Sequence, residues 1–414
     1  MRRREMWGAL SGPARFLIVN QFGVWLGFFL VVPLLATRGT VELGISSAAV
    51  GLVLGWRTFS QQGLMFGAGL FADRIGLRAA LLIGSAARSV SLVMLAFAEQ
   101  LWSLLVAITV FGLAGSLIAP STRAYLGVAA GARRSEAFSL FNSASVLGSA
   151  VGPLVAVAAS PLGFETTCLL AALVFTAMAV GQLLVLPPAP QPTAPSLGRA
   201  VLAILRSRRL LLFSAAASGQ YAVWNGAFLL LPLEATRLTG HAAVGTGAVF
   251  VLIAVTTVVL QVRLLTVQRR LGSIRAAAAG IALTAVGFGA VVLTRAGWPE
   301  DVVPVGSGWP GAAVLAPVGL LLAGTVVIAA GNALAVPPIQ DLTAALAPPG
   351  QVAAAYGING LFAGTVSAVV VPLVGRVDDF GQVSGHRWTA PALVCLVALG
   401  SALAVRQMSR DLDS

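Results

Sequence analysis

Twelve times along the chain a run of roughly twenty residues passes with little or no charge: near 16–36, 48–71, 79–98, 101–122, 137–159, 164–186, 210–234, 243–266, 275–294, 312–335, 352–375 and 388–406. A helix needs about twenty apolar residues to cross a bilayer. In lipid, backbone polar groups must be satisfied within the protein, which leaves helices as the way to use such runs. Of the 414 residues, 58% are apolar and only 10% are charged, whereas soluble domains carry about 25% charged residues. A water-soluble multidomain enzyme is excluded on that ground, and so is a disordered chain. The expected fold class is an all-α membrane protein with twelve transmembrane helices.

There are 26 basic side chains, all of them Arg, against 14 acidic ones. A nucleic-acid-binding protein would gather such an excess on one soluble face; here the arginines sit in short breaks between apolar runs. With the N-terminus inside, 19 arginines fall on inner segments and 5 on outer ones, the latter being Arg38, Arg237, Arg295, Arg376 and Arg387. Arg57 and Arg88 fall inside spans. The bias predicts cytoplasmic termini in a multi-pass protein of the cytoplasmic membrane. Met1-Arg2-Arg3-Arg4 imitates the start of a signal peptide, but the long apolar stretch after Arg15 has no small-residue cleavage site and reads as a retained first span. Cys168 and Cys395 each lie within an apolar run and read as small packing residues. His241 and His386 are too far apart in sequence to suggest a metal site, and no cofactor is implied.

Between the sixth and seventh runs the composition changes to Pro187, Pro188, Pro190, Pro192 and Pro195, then Arg199, Arg206, Arg208 and Arg209. This stiff, basic stretch reads as a cytoplasmic linker over 189–208, ending in a basic interfacial helix and separating a six-helix bundle at 1–188 from another at 209–414. The two are copies. Residues 21–38 and 220–237, offset by 199, share 11 of 18 residues, including Gln21/Gln220, Trp25/Trp224, Pro33/Pro232 and Arg38/Arg237. Arg74-Ile75-Gly76 is echoed by Arg270-Leu271-Gly272, and Pro120 and Asn142 by Pro337 and Asn359. Trp298-Pro299 to Trp309-Pro310 reads as an insertion in the second copy. Six spans repeated in the same orientation predict pseudo-symmetric bundles with a binding site near the midplane.

The loop after the second run reads Gly69-Leu70-Phe71-Ala72-Asp73-Arg74-Ile75-Gly76-Leu77-Arg78. It resembles the G-x-x-x-D-R-x-G-R-R loop signature of the major facilitator superfamily, with Leu77 in place of the first final basic residue. The resemblance implies the major facilitator fold, and it implies a clasp in which Asp73 faces the cytoplasmic start of the eleventh span near Gly350 and Gln351. A carboxylate is favoured at a helix's positive end. Gly69, Asp73, Arg74, Gly76 and Arg78 are therefore expected gating residues. The second copy, Gln268-Arg269-Arg270-Leu271-Gly272, has no Asp. In the fifth run, Gly148-x-x-x-Gly152-Pro153 matches the superfamily's antiporter signature, where Pro removes a helix hydrogen bond and the glycines admit a neighbouring helix. Leu26-Gly27-Phe28-Phe29 and Arg57-Thr58-Phe59-Ser60-Gln61-Gln62-Gly63 are similar to the twelve-span drug:proton antiporter branch, and within it to MdtH-type multidrug exporters.

An arginine within a span should face an aqueous cavity or a partner. Arg57 and Gln61 share one helical stripe, as do Tyr221, Trp224, Asn225 and Phe228 in the seventh run and Gln21 and Trp25 in the first. With Asn20, Asn142 and Asn359 these are the candidate cavity residues; each stripe reads equally as helix packing. The branch often has a titrating acid in the first span, but Asn20 occupies that place here. Glu234, three residues before Arg237, and Asp341 are the proton-coupling candidates, and Glu234 also reads as half of an interfacial ion pair. The expected function is proton-driven efflux of small, partly apolar organic molecules by alternating access, the substrate neutral or anionic and the transporter a monomer in the bilayer. A dedicated metabolite exporter or an importer is the alternative. A polytopic enzyme or scaffold lacks support, because no catalytic set or phosphate-binding loop appears.

Overall fold

The structure, a computed structural model, describes residues 7–188, 206–297, 312–348 and 351–413. Residues 189–205 of the expected linker and the inserted loop at 298–311 lie outside the described residues. So do Gly350 and the Asp73 side chain, and with them the expected inner clasp. The described residues are almost all helical, with no strand among them.

They form twelve rods. These are α1 (Gly12–Val31), α2 (Ser47–Thr58, continued through a π turn Phe59–Gly63 into Met65–Ile75), α3 (Leu77–Ala96), α4 (Leu101–Ala129), α5 (Arg134–Ala159) and α6 (Gly163–Val185), then α7 (Arg208–Thr239), α8 (Ala242–Leu271), α9 (Ser273–Gly297), α10 (Ala312–Ala345), α11 (Val352–Ser384) and α12 (Thr389–Asp413). Among the described residues nine helices are long and apolar enough to cross a bilayer, and ten if Val244–Leu260 and Arg263–Leu271 count as one span. The π turn cuts α2 into pieces too short to meet that test alone. In α7 the apolar run is diluted by Gln220, Tyr221, Trp224 and Asn225.

Local chemistry starts and stops these rods. Ser11 and Ser46 cap α1 and α2, each side chain accepting from a backbone N–H three residues on. Gly240 and Gly385 end α7 and α11 in left-handed conformation. Several rods outrun the hydropathy windows. Helix α11 continues nine residues past the expected boundary to Ser384, and α9 runs to Gly297. Arg237, Arg295 and Arg376, expected on outer segments, therefore lie within helices. A hydropathy window stops at charge, but a helix does not: Arg237 and Arg295 pair with buried acids, and Arg376 is exposed.

The chain packs as two units. One holds Met1–Val32 and Leu64–Pro195; the other holds Pro33–Gly63 and Ser196–Ser414. Within the first unit α1 packs on α5 and α6, α3 on α4 and α6, and α2 on α4. Within the second the same pattern returns: α7 on α11 and α12, α9 on α10 and α12, and α8 on α10. The backbone repeats as well. Gly76 and Gly272, matched in the sequence echo, both join two helices without a loop, at φ 91°, ψ 146° and φ 76°, ψ 158°. That region is open essentially to glycine alone. We expect Gly272→Ala to lower the stability of the purified protein by about 1–3 kcal/mol, read as an earlier thermal unfolding transition. Ala substituted at Gly297, a helical end residue with nothing near its Cβ position, should leave the transition in place.

The copies differ where proline falls. At Pro33 the first rod breaks into a 3-10 turn, Val32–Leu34, while Pro232 lies inside an unbroken α7. There the Thr236 hydroxyl donates to the Pro232 carbonyl at 2.8 Å.

Candidate functional site

Arg57 lies ten residues into α2, about 15 Å from its start at 1.5 Å per residue, and is buried. A guanidinium so enclosed needs acceptors. Its Nη2 donates to the Thr58 hydroxyl and to Asn225 Oδ1 on α7, both at 2.9 Å, and its Nη1 to Gln61 Oε1 at 3.4 Å. Asn225 is itself oriented: its Nδ2 donates to the Tyr221 carbonyl at 2.8 Å, which leaves Oδ1 to face the arginine. Two residues singled out on separate helical stripes thus meet, 168 positions apart.

The Trp candidates each pair with a Phe on their own helix. Trp224 meets Phe228 edge-on at 5.7 Å, and Phe228 packs on Phe250 of α8. Trp25 stacks on Phe29 at 5.9 Å, its counterpart in the first copy. The amides of α1 turn into its own bundle. Gln21 Nε2 donates to the Ser145 hydroxyl of α5, and Asn20 Oδ1 accepts from Gln182 of α6, which also donates to Ser85 of α3. Asn359 is buried on α11, and Asn142 and Asp341 are exposed.

Of the expected gating residues, Arg74 is exposed, and Arg78 Nη2 donates to the Leu183 carbonyl of α6 at 2.7 Å. Gly69 has open space around it. Gly148 and Gly152 bring α5 against the α1 backbone: a Cβ on Gly148 would lie 2.5 Å from the Phe22 carbonyl oxygen, and one on Gly152 would lie 2.6 Å from the Phe29 Cβ. Pro153 falls inside α5.

Glu234 is fully buried and sits between two arginines. Arg237 binds it at 2.5 Å from the same helix, and Arg295 of α9 at 2.9 Å. Arg295 also pairs with Asp378 of α11, again fully buried. Two acids and two bases alternate in this chain, so each buried charge has an opposite neighbour. The loop residue Arg387 lies nearby, its guanidinium pKa lowered by burial and by the positive charges of Arg237 and Arg295, against the pull of Glu234.

Two features escaped sequence reasoning. The first is the pair Asp378 and Asp379, which fall beyond the eleventh apolar window. The second is a seam of small residues where α2 lies on α11. A Cβ on Gly51 would stand 2.6 Å from the Val371 carbonyl oxygen, one on Gly55 2.6 Å from that of Ser367, and one on Gly360 2.6 Å from that of Gln62. The Gly-x-x-x-Gly spacings at 51/55 and 360/364 were the available signal.

Residues 17–372 match the Major Facilitator Superfamily. The chain belongs to that superfamily. Its nine or ten long apolar helices among the described residues fit a multi-pass membrane member of it. It is 37% identical over 241 residues to an uncharacterized MFS-type transporter of Mycobacterium tuberculosis, covering 58% of each chain. It is 33% identical over 231 residues to the multidrug resistance protein MdtH of Aeromonas hydrophila, covering 54% of this chain and 57% of that one. The alignments therefore span under three-fifths of the curated relatives' length. Among solved structures, an auto-inhibited POT family peptide transporter matches with TM-score 0.77 at 16% identity, over 97% of both chains. The nucleoside transporter NupG matches with TM-score 0.73 at 14% identity, over 96% of this chain and 99% of that one. At such identities the likeness is one of fold. Within this superfamily member Arg57, Gln61, Tyr221 and Asn225 come together in one hydrogen-bonded group, and Glu234, Arg237 and Arg295 in a second.

Proposed function

We propose that this transporter exports small, partly apolar organic molecules, neutral or anionic, in exchange for protons. It does so by alternating access of an N-terminal arm, residues 1–188, and a C-terminal arm, residues 209–414. It acts as a monomer in the cytoplasmic membrane with both termini inside. The observation that carries the substrate class is Arg57, enclosed deep in α2 with neutral partners at Thr58, Gln61 and Asn225. An amide or hydroxyl oxygen is a replaceable acceptor, so a carboxylate or carbonyl of a solute can take its place with a stronger, charge-assisted bond. A lipophilic cation would be repelled by the same group. Trp25, Trp224, Tyr221 and Phe228 offer the apolar and aromatic surface that suits such a solute, with Asn20, Gln21, Asn142 and Asn359 as further polar candidates.

Export is supported by the Gly148-x-x-x-Gly152-Pro153 motif against α1 and by relatives named multidrug resistance protein. For proton coupling the candidates are Glu234 and Asp341; Glu234 is the one enclosed by arginines. Everted membrane vesicles test the reading. Organic anions or neutral amphiphiles should accumulate when a proton gradient is imposed, and a protonophore should abolish uptake. Arg57→Ala should reduce anion uptake by about tenfold or more, the scale of one lost charge-assisted bond. Accumulation of a lipophilic cation that survives Arg57→Ala would overturn the substrate class. Uptake indifferent to the protonophore would overturn the coupling.

A further inference from the structure

Residues 33–63, the continuation of the chain after α1 and the first half of α2, pack with the second unit while α1 itself packs with the first. The segment is bounded at each end by an irregularity in the helix. At its start is the 3-10 turn Val32–Leu34, where Pro33 has no N–H to give. At its end is the π turn Phe59–Gly63. Such single-turn π bulges interrupt the regular ladder and are places where a helix can bend.

What holds this segment at its far end is chemically specific. The first backbone N–H groups of a helix have no partner within it. In α2 the N–H of Ser47 donates to Asp379 Oδ1 at 2.7 Å and that of Ala48 to Asp379 Oδ2 at 2.9 Å, while Ser46 serves the N–H of Ala49. Both oxygens of one carboxylate thus sit on the positive end of α2, where the helix dipole favours them. Beside it the Ser47 hydroxyl donates to Asp378 Oδ2 at 3.0 Å, an oxygen also held by Gln382. The other oxygen of Asp378 is bound by Arg295, which reaches Glu234. The start of α2 is therefore tied, through Asp378, to the buried charges of α7 and α9. The rest of the seam is neutral and made of small residues, which adds close packing but no charge.

We propose that residues 33–63 are a strap, hinged at Val32–Leu34 and Phe59–Gly63, and that Asp379 and Asp378 form the latch that keeps it on α11. When the strap leaves, its N–H groups and the carboxylate of Asp379 can each take up water, so the latch is reversible. It is the converse of the clasp expected at the other end of α2: there a carboxylate after α2 would face the start of α11, and here carboxylates late in α11 face the start of α2. The inference rests on the chain being a transporter and not on which solute it carries or on proton coupling.

Labelling of the full-length protein tests it, with Cys168→Ser and Cys395→Ala removing the native thiols. A reporter is placed at Ser367→Cys, a fully buried residue whose backbone carbonyl lies against Gly55 in the seam, and a control at Thr167→Cys, fully buried in the other unit. A membrane-impermeant maleimide is applied to right-side-out and to everted vesicles. With Asp379→Ala the reporter should label about tenfold faster or more, within the range of ordinary conformational couplings. Asp379→Asn, which keeps an acceptor but not the charge, should fall between. The control should not change. An unchanged reporter, or a control that rises in step with it, overturns the latch. Because no solute is followed, a failure here is separate from a failure of the export reading.

Discussion

Arg295→Met should cost this protein about 3–5 kcal/mol, the usual penalty for removing one member of a buried ion pair, and should be the most damaging single loss of charge in the chain. The side chain is 6% exposed and joins two carboxylates, Glu234 and Asp378, that have no exposure at all. Methionine fills much of the same volume, so the loss is electrostatic rather than a cavity. Asp378 would keep the Ser47 hydroxyl and the Gln382 amide. Glu234 would keep Arg237. Neither set balances the site, which would carry two negative charges against one positive. Thermal unfolding in detergent gives the measurement. The rescue is as informative as the loss: adding Asp378→Asn to Arg295→Met leaves Glu234 paired with Arg237 and should recover most of the stability. In a double-mutant cycle the coupling between these positions should be large, as it is for residues that share one network. An Arg295→Met protein that unfolds at the parent temperature would mean that the four charges are not enclosed together. Arg38–Glu42 is the contrast. Its Glu is 46% exposed, and breaking it should cost no more than about 1 kcal/mol.

The same network shows where linear reading stops. Glu234 and Arg237 could be paired from sequence because they are three residues apart on one helix. Arg295 and Asp378 could not. Each lies where an apolar window has already closed, and only the partner from another helix explains how the helix carries a charge indoors. What was legible was whatever the chain states locally or states twice. The Arg-Leu-Gly echo of Arg-Ile-Gly turned out to be one backbone conformation used twice, at Gly76 and Gly272. Shared Trp and Phe spacing likewise became a Trp–Phe contact in both α1 and α7, stacked in the first and edge-on in the second. Arg57 and Asn225 were each visible as polar residues on a helical stripe, but their meeting is a property of packing and not of either stripe. Asn20 shows the reverse. It was expected to line the cavity, and its side chain is instead taken up by Gln182 within the first bundle.

Glycine spacing reveals that a helix has a narrow face without saying what lies against it. On α2 that face is now assigned to α11, which makes Gly55→Leu the second large effect to expect. A Cβ there would lie 2.6 Å from the Ser367 carbonyl oxygen and 3.0 Å from the Ala368 Cα. Both are helix backbone atoms and cannot swing aside as a side-chain tip could. Overpacking of this kind costs about 1–3 kcal/mol even in cores that can adjust; here the direct relief is for α2 to stand away from α11. Gly67, beyond the π turn on the same helix, has nothing within 4 Å of its Cβ position, and Gly67→Leu should be tolerated. The sharper expectation concerns combination. If Gly55→Leu already lifts residues 33–63 off α11, then Asp379 has little left to hold, and adding Asp379→Ala should scarcely raise the labelling of Ser367→Cys further. Independent effects would multiply the two rates instead. Multiplication would separate the seam from the latch and leave each as a local packing feature.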